Sequence, residues 1–167
     1  MTTTNRNNYR QVGNGPRNQL TAHHRQVIDA VGATRTLLEG ESGSLCLLDK
    51  ADGQTWTLPL ITDDNVGMFF EFQTTVSVSG GTIKIVTGDI ATEFLLGSIL
   101  AYTIATASPA GFSANGTTIV SVAMQTGGTF GGLIGTRLRF EAIRPTQWAV
   151  RGLTVGTGTI VTPFATS

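Results

Sequence analysis

Few side chains in this sequence are of a type and spacing that could do chemistry together. Gly111-Phe-Ser-Ala-Asn115 resembles the start of a nucleophile elbow but lacks its second glycine. Both histidines, His23 and His24, lie near the N-terminus, so the rest of the chain holds no histidine base for a serine triad. Adjacent in sequence, they would point about 100° apart in a helix, and no third ligand accompanies them. Asp49-Lys-Ala-Asp-Gly53 and Thr62-Asp-Asp-Asn65 are rich in oxygen ligands. Neither has the alternating ligands and distant glutamate of a calcium loop, and turns are expected at both. Gly127-Gly-Thr-Phe-Gly-Gly-Leu-Ile-Gly135 lacks the Gly-Lys-Ser/Thr of a phosphate cradle and reads as a flexible loop. The single Cys46 can make no internal disulfide, and no Cys/His set has zinc spacing. Paired carboxylates for glycoside hydrolysis are a matter of three-dimensional separation, which spacing along the chain leaves open. The expectation is a protein that is not an enzyme, with no cofactor and no metal.

The elements around these residues divide the chain in two. The 167 residues suit one domain, or one domain with an arm, and 40% of them are hydrophobic. The formal charge sums to zero, which argues against a general nucleic-acid partner. Its distribution is uneven: residues 1–28 carry Arg6, Arg10, Arg17 and Arg25, five asparagines and no acid. From residue 36 onward, six basic residues face ten acidic ones. A polar basic stretch buries too little surface to offset its ordering entropy, so residues 1–33 are expected to form an extended arm. Extended, its first 28 residues would reach about 90 Å at ~3.3 Å each. Leu20, Val27, Ile28 and Val31 fall near helical spacing before Gly32, which predicts a short helix over 20–31. Met1-Thr-Thr-Thr-Asn-Arg-Asn-Asn8 lacks the apolar core of a signal peptide, and Phe94 to Ala107 is too short to cross a bilayer. No membrane association is expected.

Residues 34–167 read as β almost throughout. Short apolar–polar runs recur between turn signals, with threonine (27 in the chain) as the usual polar partner. Strands are expected at 34–38, 44–49, 54–60, 67–74, 82–86, 99–105, 117–123, 136–143, 146–151 and 159–162. Trp56, Leu58 and Leu60 should share a face, as should Met68, Phe70 and Phe72, and Ile83 and Ile85 about Lys84. Asp52-Gly53 and Asn115-Gly116 read as hairpin turns. With 8–15 residues between strands and no convincing helix among them, the pattern predicts an antiparallel sandwich or barrel. In the best-defined hairpin, about Arg144-Pro-Thr146, Leu138, Phe140 and Ala142 match Trp148 and Val150 as the inward face. Arg137, Arg139, Glu141 and Arg151 then share the outward one, either as a solvated sheet face or as a protein contact. The solvated face is the expected reading, while nine arginines against two lysines lend the contact some support.

Thr34-Arg-Thr-Leu-Leu-Glu-Gly-Glu-Ser-Gly-Ser-Leu-Cys-Leu-Leu-Asp49, followed by Gly53-Gln-Thr-Trp-Thr-Leu-Pro59 and Met68-Phe-Phe-Glu-Phe72, resembles modules of tailed-bacteriophage virion proteins. Arg139-Phe-Glu-Ala-Ile143, Gln147-Trp-Ala-Val-Arg-Gly-Leu153 and Gly158-Thr-Ile-Val-Thr-Pro-Phe-Ala165 are similar too, so the resemblance spans most of 34–165. The whole is similar to a phage head decoration, or cement, protein. That resemblance implies a jelly-roll-like β-sandwich, commonly homotrimeric, on the outer surface of the virion, bridging neighbouring subunits of the major capsid protein. Arg6, Tyr9, Arg10, Arg17 and Arg25 would then anchor the arm, with Arg137, Arg139 and Arg151 as a further contact on the sheet. The long Arg/Asn arm departs from the simplest such modules. The alternative is a tail, baseplate or receptor-binding domain that binds glycan through exposed aromatics and loops such as 108–116 and 126–135. Trp56 and Trp148 both fall on faces expected to be core, which disfavours stacking on sugars.

Overall fold

The computed structural model describes residues 25–104, 109–125 and 129–167. The chain first alternates between two sheets. β1 (Val27–Asp29), β3 (Leu45–Leu48) and β5 (Phe69–Thr74) lie in one sheet; β2 (Thr34–Thr36), β4 (Gln54–Thr57) and β6 (Thr82–Val86) lie in the other. Each later strand pairs in parallel with the strand two places before it. Parallel neighbours need a crossover connection, and here a strand of the opposite sheet supplies it. Residues 27–86 therefore wind as a flattened coil. Its corners are rounded by 3₁₀ turns at Glu39–Glu41 and Asp63–Asn65, where the Leu38 and Thr62 N–H groups donate to the side chains of Glu41 and Asn65.

The remaining strands close this coil. β7 (Phe94–Thr103) and β8 (Ala110–Asn115) pair antiparallel, and β9 (Ser121–Gln125) runs antiparallel to β6. The hairpin of β10 (Arg137–Arg144) and β11 (Gln147–Gly156) fits between β5 and β7, antiparallel to the first and parallel to the second. With β12 (Phe164–Ala165) on β9, the sheet orders are β1-β3-β5-β10-β11-β7-β8 and β12-β9-β6-β4-β2.

The two sheets face each other over one core. Trp56 of the smaller sheet stands edge-on to Phe72 of the larger, with ring centroids 5.7 Å apart, and Phe72 meets Phe140 at 5.5 Å. Trp56, Trp148, Phe70, Phe72, Ile83, Ile85 and Phe140 are fully buried. The alternation read from these runs is therefore the alternation found.

One acidic side chain lies inside. Glu93 is buried, and its carboxyl oxygens accept from the backbone N–H groups of Ile61, Gly88 and Asp89 and from Trp148 Nε1 at 3.2 Å. Four donors satisfy a group that would be costly to bury alone.

Several expectations are corrected. Half the pairings run parallel, so the all-β body is built of mixed sheets rather than the purely antiparallel ones expected; alternation along a strand is blind to its neighbour's direction. The helix expected over 20–31 is, in its described part, strand β1, whose Ile28 is buried beside Cys46. Residues 27–33, expected in the arm, thus begin the body. Gly53 and Gly116 do take positive φ, but each turns the chain from one sheet to the other and makes no hairpin. Leu60 is exposed because the strand ends at Thr57, before Pro59. In the stretch expected to be a flexible loop, Gly131 and Gly132 are buried against Thr154, Val78 and Met124.

Glu93→Ala should cost about 3 kcal/mol, because it strands several buried donors, whereas Lys84→Ala, on the solvent side of β6, should cost under ~0.5 kcal/mol. Urea unfolding of the two variants checks this difference.

Candidate functional site

The outer face of the seven-stranded sheet gathers four of the eight expected contact residues, Arg25, Arg137, Arg139 and Arg151. Register places its outward side chains in rows across the strands. One row runs Val27, Leu45, Glu71, Arg139, Arg151, Ser98, Ser113; the next runs Asp29, Leu47, Gln73, Arg137, Leu153, Leu100, Gly111. The sequence pattern that put Arg137, Arg139, Glu141 and Arg151 on one face is the one the strands adopt, because period-2 alternation holds along both hairpin arms.

Glu71 is the hub of this face. Its carboxylate accepts from Arg25 at 2.8 Å, Arg137 at 2.7 Å and Arg139 at 3.4 Å. The Arg25 guanidinium, then that of Arg137, hold its carboxyl down to about 2 against the opposing effect of burial. Arg139 also reaches Glu141 at 3.1 Å, and its guanidinium lies 3.9 Å over the Phe69 ring. Arg25, expected as an anchor of the arm, is therefore committed to the body: besides Glu71 it donates to the Gly43 carbonyl. Arg6, Tyr9, Arg10 and Arg17, with the two histidines, lie outside the described residues.

Arg151 is different. It sits directly opposite Arg139 in the ladder, an unfavourable like-charge placement, and among the described residues no carboxylate pairs with it. Two shallow depressions adjoin it. One is floored by Gly152 between Arg137 and Leu153, the other by Gly97 between Leu96 and Ile143. Glycine is required at both: a Cβ on Gly97 would lie 2.1 Å from the Val150 carbonyl oxygen, and one on Gly152 would lie 2.2 Å from that of Arg137. The four arginines of this face against Asp29, Glu71 and Glu141 leave a net charge of +1. Residues 25–167 as a whole carry eight basic and eleven acidic residues, a net −3. The face is a positive island on a negative body.

Elsewhere the chemistry is quiet. Among the described residues no group of three His, Cys, Asp or Glu side chains is placed to hold a metal ion, and no helix is long and apolar enough to cross a membrane. The Cys46 thiol is fully buried, and burial, then Glu41, push it up to about 12. Compared with known proteins, the chain matches no family model, no curated protein and no solved structure.

Sequence reasoning missed Glu71 as the partner of three arginines. The pairing depends on β10 lying beside β5, 66 residues away, which no local pattern encodes.

Since Glu71 titrates lower in the folded chain than the usual ~4.5, its contribution to stability is complete above about pH 4.5. It is lost as pH falls towards about 2. Glu71→Gln should flatten that limb of a stability-versus-pH curve, measured by urea titration between pH 2 and 6 (roughly the span of an acid transition), and leave its shape above pH 5 unchanged.

Proposed function

We propose that this chain is a structural virion protein, without catalytic activity, that decorates a bacteriophage capsid and stabilises it by bridging neighbouring major capsid protein subunits. The observation that carries the reading is the outer sheet face. It is broad and shallow, rich in arginine, set about with the exposed side chains of Leu100, Tyr102 and Ile143, and opposite in charge to the body that bears it. Such a surface suits another protein, where arginine and tyrosine are enriched, better than a small molecule, which needs an enclosed cleft. The resemblance of residues 34–165 to phage decoration modules supplies the partner.

In this reading the arm, through Arg6, Tyr9, Arg10 and Arg17, holds the capsid lattice, while Arg137, Arg139 and Arg151 serve a contact made by the body. Several arms from one homotrimer would act together, so weak single contacts sum to firm attachment. The jelly-roll path stays with the resemblance; what the reading needs is a rigid two-sheet body. The rival, a glycan-binding tail or baseplate domain, has less to stack on a sugar, since both tryptophans are buried in the core.

Quantitative mass spectrometry of purified particles tests the proposal. A copy number approaching that of the major capsid protein is expected; a handful of copies per particle points instead to a tail component. The arm has its own test: deletion of residues 2–24, which stops short of Arg25 and the buried Ile28, should leave the body's thermal unfolding unchanged and abolish capsid occupancy. Full occupancy after deletion overturns the arm's role.

A further inference from the structure

A second surface complements the arginine face. It is formed where successive turns of the coil pass from the smaller sheet to the larger. The side chain of Asn65 donates to the Leu60 carbonyl at 2.9 Å and to the Glu39 carboxylate at 2.6 Å, which joins the two 3₁₀ corners. Glu93, gripping Ile61 and Gly88, brings the next corner alongside. The Asp89 carboxyl takes the Ala91 N–H, then the Thr92 hydroxyl, which holds it below the usual carboxylate range.

This corner is acidic and greasy at once. Glu39, Asp63, Asp64 and Asp89 have no cationic partner among the described residues. Around them Leu38, Leu60, Val66 and Ile90 are between 43% and 65% exposed. Single exposed aliphatics are ordinary, but four on adjoining turns form a patch of the kind that marks an interaction site. The positive face offers the converse: Arg151 without a carboxylate, Arg137 largely exposed, and Leu100 and Tyr102 beside them.

From this pairing we infer that a second copy of this chain is the body's partner: the acidic corner of one molecule docks on the Arg151 face of the next. Both halves of the contact are present on every molecule and neither is its own mirror. The contact is therefore heterologous and propagates head to tail, closing into a ring where the rotation per step allows it. Carboxylates of the corner reach Arg151 and Arg137 in bidentate geometry, and the aliphatics of both patches cover each other. The inference rests on reading the face as a protein contact. It does not depend on what the arm holds.

Sedimentation velocity of the purified full-length chain, with no capsid present, tests it. Association is expected near 50 mM salt and should weaken by about tenfold or more near 500 mM, as charge pairs are screened. Arg151→Glu alone, and Asp63→Lys with Asp64→Lys, should each weaken association by at least about tenfold. All three substitutions in one chain should restore it, because the pairing is then reversed rather than removed. Circular dichroism and thermal unfolding confirm that each variant is folded. A chain that remains monomeric at about 100 μM in low salt, a hundredfold above a micromolar dissociation constant, overturns the inference. So does association indifferent to the reversals, or a folded triple variant that fails to recover. If the chain is monomeric and Arg151→Glu abolishes capsid binding, the self-contact is overturned while the capsid reading stands.

Discussion

The architecture turns on one buried carboxyl group. The chain has two unlike halves, a coil of parallel strands up to β6 and a closing set of strands from β7 onward, and Glu93 sits at the junction between them. Its oxygens hold Ile61 and Gly88 of the coil and the indole of Trp148 on β11. Buried acids without a cation are rare because desolvation is expensive; this one is retained where four N–H groups converge. Gly88 shows how tight the junction is, since a Cβ there would lie 2.7 Å from the Leu60 nitrogen. Ile61, Gly88, Asp89 and the Trp148 indole are thereby joined at one point.

Charge is handled differently inside and out. Inside, the Glu93 carboxyl is tied to four N–H donors, whereas Trp56 Nε1, Thr74 Oγ1 and Thr154 Oγ1 are buried with no hydrogen-bond partner among the described residues. On the larger sheet's outer face, one carboxylate serves three guanidinia and a fourth is left over. Isolated surface ion pairs contribute little, so the network is better understood as a device that fixes arginine geometry. Glu71 and Phe69 hold Arg139 in place, directly opposite Arg151 in the ladder. The smaller sheet's open edge carries another such device: Arg35 lies in the inward row beside Trp56 and pairs with Glu41 at the end of the core. A charge directed inward on an edge strand discourages edge-to-edge pairing with another sheet.

Much of this was legible in the sequence where the information is local. Alternation in Met68–Phe72, Thr82–Val86 and the Arg137–Arg151 hairpin correctly assigned core and outer residues, because a half-buried strand must alternate. The same logic placed both tryptophans inside. The parallel coil was not legible: its turns differ in length, so no repeat stands out, and a strand's sequence carries no mark of its neighbour's direction. β8 was missed because the residues about Phe112 in Ala110–Asn115 are small or polar and suggest a loop, although Ala114 is buried and Phe112 packs against the core. Glu93 passed unnoticed because a lone acid between Thr92 and Phe94 gives no sign of being inside. On the outer face the arginines were legible as a group, but their shared carboxylate was not.

The position of the β10–β11 hairpin has a consequence for the order of events during synthesis. The coil can grow as the chain emerges, each strand finding a partner laid down shortly before it. The larger sheet cannot be completed that way, since β5 and β7 stay apart until two strands made much later slide between them. Non-local pairing of this kind is slow, and it leaves two sheet edges bare in the meantime. Arg137, Arg139 and Arg151 all arrive on the inserted hairpin. The arginine half of the inferred contact therefore comes into being only with the final closure, so an unfinished chain carries an acidic corner but no face of its own to receive a neighbour's.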